Sequence, residues 1–337
     1  MVNILLACPM QDGQSGLYMH NSLTEMNHRV AYFDWRHIAE SKGVQHMNSK
    51  FIEVATQLKP DIVLIVKGLG ITKETIQAIK ANIDTKVIGW IFDVTLGGTM
   101  VKDVAPYVDF IKSLDKFYTI DNSAVEELKE LGVKADWLPE GCFEEAHKEQ
   151  VINSIQARKY GADVVFLGSV GSIHPNREKI LKRIYDEGFN LKIYGDVFYP
   201  EGQDPEWVKE CHTGFSATND IHSIVCQSSK VVLGIDGWTD RDKAWSARIY
   251  RVMCAGGFYL NTETKGLAES DLSRFMGTYS DEDDVIEKLS MWLNDDEART
   301  HLAGDGQALV LEKYQFKHAL KRLVDESGAT SMEEYLA

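Results

Sequence analysis

Residues 230–266 read KVVLGIDGWTDRDKAWSARIYRVMCAGGFYLNTETKG, and the fold is decided by how they are read. Val231 to Ile235 is a short apolar run, the pattern of a parallel strand buried on both faces. A polar loop follows, and Ser246 is a residue type that caps helix N-termini. Ala247 to Ala255 reads as one short helix stopped by Gly256 and Gly257. Phe258 to Asn261 reads as the next strand. Strand, loop, helix and strand in this order make one winding of an α/β layer.

Arg248 and Arg251 stand three apart in this unit, so they share a helix face. Cations are disfavoured near a helix N-terminus, where the macrodipole is positive. Two explanations stand open. A bound anion resolves the conflict, held by the arginines and the end of the helix, or Asp236, Asp240 or Asp242 neutralises them.

The same alternation extends outward in both directions. Upstream, apolar strands are expected at Val2 to Cys8, Arg29 to Asp34, Asp61 to Val66, Lys86 to Phe92, Lys116 to Ile120 and Lys134 to Leu138. Helices are expected at Leu17 to Asn27, around Asn48 to Leu58, after Thr72, near Met100 to Leu114 and from Asn122 to Leu131. Pro139-Glu140-Gly141 breaks the alternation as a linker. It restarts with strands at Asp163 to Leu167 and Leu191 to Tyr194, and helices at Arg177 to Glu187 and Asn219 to Ser228. A nearly continuous helix is expected over Asp295 to Val324. This predicts two doubly wound, Rossmann-like α/β lobes. At 337 residues the chain exceeds one ordinary core. The expected divisions are 1–141, 142–312 and a C-terminal helix, 313–337, that packs back on the first lobe. Ligands of such sheets bind beyond the carboxyl ends of the strands, so a two-lobed chain is expected to bind them in a cleft.

The net charge of −15 argues against non-specific attraction to nucleic acid. Residues 1–140 hold 14 basic and 18 acidic side chains and the remainder 22 and 33, so the acidity is concentrated in the second half. No apolar run reaches the ~20 residues that span a bilayer. MVNILLACPM reads as a first strand and not as a signal peptide. Five scattered cysteines without a C-x-x-C pair fit buried thiols in a reducing cytoplasm.

Several strand ends carry candidate chemistry. Gly13 and Gly16 follow the first strand as G-x-x-G, which lacks the G-x-G-x-x-G dinucleotide fingerprint; they either present N–H groups to a ligand or form an ordinary turn. Asp93 ends the strand IGWIF and is either a general base for an acceptor hydroxyl or a turn cap. Gly168-Ser169-Val170-Gly171, with His174, Asn176 and Arg177, reads as a diphosphate cradle, or Arg177 is a solvated surface residue. Gly195-Asp196 and the run Gly234-Ile235-Asp236-Gly237 suit a nucleoside, or are common turns. Asp240-Arg241-Asp242 follows no strand directly and reads as loop and not as a metal site. No H-x-x-x-H pair and no G-x-S-x-G elbow occurs, so neither zinc ligation by such a pair nor an esterase triad is supported.

Taken in order, DWLPEGC (136–142), VVFLGSVG (164–171), LKIYGD (191–196), SARIYRVMCAGGFYLNTE (246–263) and LEKYQFKHALKRLV (311–324) resemble glycosyltransferases of the two-lobed GT-B type, within them the spore-maturation, group 1-like family. A looser likeness, through IGWIFDV, is to the phage DNA β-glucosyltransferases. The resemblance implies a metal-independent, cytoplasmic glycosyltransferase with no cofactor beyond a nucleotide-sugar donor, UDP-linked by default. It implies that the second lobe holds the donor through Ser169, His174, Arg177, Gly195, Ile235, Asp236, Ser246, Arg248 and Arg251, with Gly16 of the first lobe as a further donor-binding residue. Asp93 is implied as catalytic base. The acceptor is open, a hydroxymethylated DNA base being one reading. Arg251 departs from the family pattern, standing where a ribose-binding Glu is usual. A sugar-nucleotide epimerase and a non-catalytic nucleotide-sugar-binding protein are the alternatives on the same fold.

Overall fold

The computed structural model describes residues 1–93 and 104–329. They form two compact units, one of residues 1–140 with the segment from Phe316 on, the other of Gly141–Gln315.

The first unit is built on six parallel strands: β1 (Asn3–Ala7), β2 (Arg29–Phe33), β3 (Ile62–Val66), β4 (Lys86–Ile91), β5 (Lys116–Thr119) and β6 (Ala135–Trp137). They lie in the order β2-β1-β3-β4-β5-β6. Leu5 of β1 sits opposite Ala31 on one side and Val63 on the other. All five residues of β3 are buried, which is why it reads as an unbroken aliphatic run. Phe33 and Phe51 stack at 4.8 Å beneath one face. The chain winds one way from β1 to β2 and the other way from β3 onward, so the direction switches between β1 and β3.

The second unit holds β7 (Val164–Leu167), β8 (Val170–Gly171), β9 (Leu191–Tyr194), β10 (Val197–Phe198), β11 (Val231–Gly234), β12 (Tyr259–Thr262) and β13 (Gly277–Tyr279). Five make a parallel sheet, β13-β12-β11-β7-β9, and β8 pairs with β10 alone. Val164 and Phe166 enter one hydrophobic cluster while Val165 and Leu167 enter another. The period of two thus sends successive side chains of β7 to cores on opposite faces. The switch of winding direction falls between β7 and β11.

Several expected elements are corrected. The region before Val44 holds its own helix, Trp35–Lys42, joined to Val44–Leu58 through Gly43 at φ 88°. Asp121 and not Asn122 caps the helix Asn122–Glu130, accepting from Ala124 N. Of the helix expected near Met100 to Leu114, Val104–Lys112 is helical, and Met100 lies outside the described residues, as do Val94, Gly97 and Gly98. The long terminal helix is two, Asp296–Lys313 and Phe316–Glu326. The break has a cause. Tyr314 stacks on Tyr250 at 5.3 Å and its hydroxyl donates to Asp271 at 2.6 Å, while its carbonyl accepts from Cys142 N at 3.0 Å. These contacts draw the backbone out of the helical path.

The helix Phe316–Glu326 belongs to the first unit. Phe316 is fully buried against Tyr18 and Trp90. Arg322 donates to the Trp137 carbonyl and pairs with Asp136 at 2.7 Å, and Glu326 accepts from the Tyr118 hydroxyl at 2.7 Å. The last helix is therefore fastened to β5 and β6 by polar contacts and to the core by Phe316, Ala319, Leu320 and Leu323.

Candidate functional site

The ends of β7, β9, β11 and β12 carry most of the candidate residues. Phe166, the third residue of β7, has two guanidiniums over its ring, Arg248 at 5.3 Å and Arg177 at 5.7 Å from the centroid. Arg248 straddles the switch point. It donates to the carbonyl of Leu167, the last residue of β7, at 3.3 Å and to the Ile235 carbonyl after β11 at 3.1 Å. The Ser246 hydroxyl accepts from its Nε and its backbone N. Asp236 lies 3.7 Å from Arg248 and is almost fully buried. Its other contacts are the Ser246 N–H at 3.2 Å and the Asn261 amide at 2.8 Å. Asp236 therefore neutralises Arg248 in part, and its oxygens are engaged within the protein. Ile235 is buried and contributes its carbonyl. Ser246 is not the N-cap: that position is Ala247, and the helix runs Arg248–Cys254, one residue shorter at each end than expected.

Arg177 is the more available cation. It stands in the first turn of the helix Pro175–Asp186 and donates to the Ser169 carbonyl and hydroxyl at 3.1 and 3.0 Å. His174 Nε2 lies 3.0 Å from the same hydroxyl. Burial, and then Arg248, lower the Arg177 pKa to about 10, with Asp236 opposing. Burial, Arg177 and Arg248 also lower the pKa of His174. Positive charge thus accumulates here faster than Asp236 offsets it, an arrangement that favours an anion.

The backbone at this edge is rigid. The Gly168 loop is not open but pairs with the segment after β9: Gly168 N donates to the Tyr194 carbonyl and Val170 N to that of Asp196, both at 2.9 Å. Gly195 is required by close approach, because a Cβ there would lie 2.1 Å from the Gly168 carbonyl. Gly171 adopts φ 140° and a Cβ would meet the Phe198 carbonyl at 2.4 Å. These glycines let β8 and β10 zip the two loops together.

Arg251 is a correction. The groups it acts on are His147, His222 and Cys142, whereas His174 and Arg177 respond to Arg248. Periodicity placed both arginines on one helix face, but three residues of α-helix still turn the side chains about 60° apart. That rotation sends Arg251 to the helices Glu144–His147 and Asn219–Ser228. His147 and His222 pack there edge to face at 5.2 Å, and burial drives the His222 pKa down to about 3. Arg251→Ala is expected to lower the melting temperature by several degrees while changing affinity for UDP less than about threefold. Thermal melting beside UDP titration checks this.

In the first unit, Asp93 follows β4 and pairs with Lys67, which follows β3, at 2.7 Å. Gly16 is a packing glycine: it lies in the helix Ser15–Glu25, buried, and a Cβ would come 2.1 Å from the Pro9 carbonyl. That contact accounts for the glycine without a ligand. Burial raises the Cys8 thiol pKa, so Cys8 is no ready nucleophile. Among the described residues no group of three or more His, Cys, Asp or Glu is placed to hold a metal ion, and no helix is long and apolar enough to cross a membrane.

The sequence reading missed Phe166, Asn261 and Lys67. An aromatic in an aliphatic strand, an Asn in the apolar run FYLNT, and Lys-Gly directly after VLIV are their signals.

Comparison with known proteins agrees with this architecture. Residues 177–325 match the model of a family described as glycosyl transferase-like. No curated protein shows significant sequence similarity to the chain. Among solved structures, HepE of Anabaena in complex with UDP and glucose superposes with a TM-score of 0.66 at 10% identity, covering 98% of this chain and 100% of that one. Sucrose-phosphate synthase from Thermosynechococcus elongatus gives 0.70 at 11%, with the same coverage. A putative UDP-N-acetylglucosamine 2-epimerase from Listeria monocytogenes gives 0.57 at 11%, covering 96% and 94%. The fold is GT-B.

Proposed function

From a GT-B fold whose residues 177–325 match a glycosyl transferase-like family, we propose that this chain moves a sugar from a UDP-sugar to an acceptor hydroxyl without a metal ion. The observation that carries the reading is the convergence of Arg177 and Arg248 over Phe166 at the β7/β11 switch point. Glycosyl transfer leaves negative charge on the departing diphosphate, and fixed cations beside it lower the barrier. Arg177, Ser169 and His174 meet the diphosphate. Arg248, held by Leu167, Ile235, Ser246 and Asp236, supplies a fixed charge behind them. Gly195 and Ile235 shape the floor, and Gly16 and Arg251 take no part.

Asp93 takes the proton of the acceptor hydroxyl. The acceptor oxygen bonds to the anomeric carbon as the bond from that carbon to the phosphate oxygen breaks, and UDP leaves with the electron pair. A single displacement of this kind inverts configuration. The UDP choice is supported by neighbours of the same fold solved with UDP or UDP-glucose. The epimerase neighbours favour the alternative of converting the sugar nucleotide without an acceptor.

A thermal-shift panel of UDP, GDP, UDP-glucose and UDP-N-acetylglucosamine tests the donor, and product analysis separates transfer from epimerisation. UDP-linked ligands at 100 times Kd stabilise the protein by about 2.7 kcal/mol and GDP does not. Product analysis then follows, with sugars and a hydroxymethylated DNA base as acceptors and with EDTA present. Transfer that survives EDTA supports the reading. Conversion of the donor with no acceptor moves the assignment to an epimerase.

A further inference from the structure

The ion pair between Lys67 and Asp93 has a scaffold of its own. Lys67 lies in the left-handed region at φ 63°, where residues other than glycine are uncommon. Three hydrogen bonds hold that conformation. Lys67 N donates to the Trp90 carbonyl at 3.0 Å, Gly68 N to the Val66 carbonyl at 2.8 Å, and the buried Tyr107 hydroxyl to the Lys67 carbonyl at 3.0 Å. A fourth, from Trp35 Nε1 to the same Val66 carbonyl at 3.1 Å, fixes the strand end before it. Gly68 follows at φ 71°, packed so that a Cβ would meet Ile65 and Phe110 below 3.0 Å. The turn after β3 is thus rigid, and it delivers Nζ to Oδ2 of Asp93 at 2.7 Å. Lys67 and Asp93 are both partly exposed, at 23% and 33% of their side chains, and an ion pair so exposed contributes little to stability. A strained, over-determined backbone that serves a weakly stabilising contact points to positioning.

We propose that Lys67 is the positioning residue of the acceptor-activating carboxylate: by holding Oδ2 of Asp93 it orients the other oxygen, Oδ1, toward the acceptor hydroxyl. This rests on the reading of Asp93 as the base. Lys67 contacts neither donor nor acceptor in this role. It acts through Asp93, so its contribution vanishes when Asp93 cannot accept a proton.

The test is a double-mutant cycle on the full chain, with release of UDP from UDP-glucose in water as the measured turnover. Lys67→Met lowers kcat about 10- to 100-fold, the cost of a misplaced catalytic group, with KM for UDP-glucose unchanged. Lys67→Arg restores kcat to within about threefold, because a guanidinium can hold the same oxygen. In the Asp93→Asn background, Lys67→Met changes kcat by less than about twofold. An equal loss in both backgrounds, or a loss in Lys67→Arg as large as in Lys67→Met, overturns the positioning role and leaves the base reading standing. No UDP release by the wild type, or undiminished release by Asp93→Asn, overturns the base reading and this inference with it.

Discussion

Arg177→Ala is expected to weaken UDP binding about 10- to 100-fold with little change in melting temperature. One charge-assisted contact to a phosphate contributes about 1.5–3 kcal/mol, and each 1.4 kcal/mol is a factor of ten. The stability expectation follows from its contacts among the described residues, hydrogen bonds to Ser169 and the cover of one face of Phe166. Arg248→Ala also loses affinity, through the charge it places behind the diphosphate, and melts lower, because its guanidinium joins the ends of β7 and β11 and lies 3.7 Å from buried Asp236. Removing it leaves a buried carboxylate that the amides of Ser246 and Asn261 must satisfy without its ion-pair partner. The pair of variants separates a cation that meets ligand from one that also holds the sheet together. Isothermal titration with UDP, beside thermal melting, reads both effects.

Asp93→Asn is expected to lower transfer about 100- to 10,000-fold, the usual contribution of a general base, with UDP affinity unchanged. The amide keeps the shape of the carboxylate but cannot take the acceptor proton. The residues proposed to meet UDP are untouched by the change. Steady-state transfer with saturating donor, beside UDP titration of the same variant, checks the split. Normal transfer by Asp93→Asn would remove the base assignment and leave the donor site unaffected.

How much of this was legible in the sequence depended on what each feature owed to local pattern. Strands such as Ile62–Val66 and Val231–Gly234 were legible because burial on both faces demands an unbroken apolar run. Thr72 and the helix Asn219–Ser228 were legible through capping and periodicity. The two-residue strands β8 and β10 were not, because they exist only through a tertiary approach that Gly171 and Gly195 permit. The break at Tyr314 was not legible either, since its partners, Tyr250 and Asp271, are 64 and 43 residues away in sequence. The site divided in the same way. The positions of Ser169, Gly195 and Asp236 in the fold could be read from their strand ends, because a doubly wound sheet gathers its strand ends at one edge. Periodicity could not tell Arg248 from Arg251, since it assigns a face and not the neighbours that face meets. Asp236 stood among three acids that could neutralise the arginines; that it is the buried one, with Asn261 of β12 beside it, was not legible.

The central claim is that the second unit receives the leaving diphosphate at Arg177, Ser169 and His174. A crystal structure of the protein with UDP tests it most directly. The account predicts a phosphate oxygen within hydrogen-bond distance of Arg177, at the ends of β7 and β11. A diphosphate bound elsewhere, with Arg177 still closed onto Ser169, would contradict it.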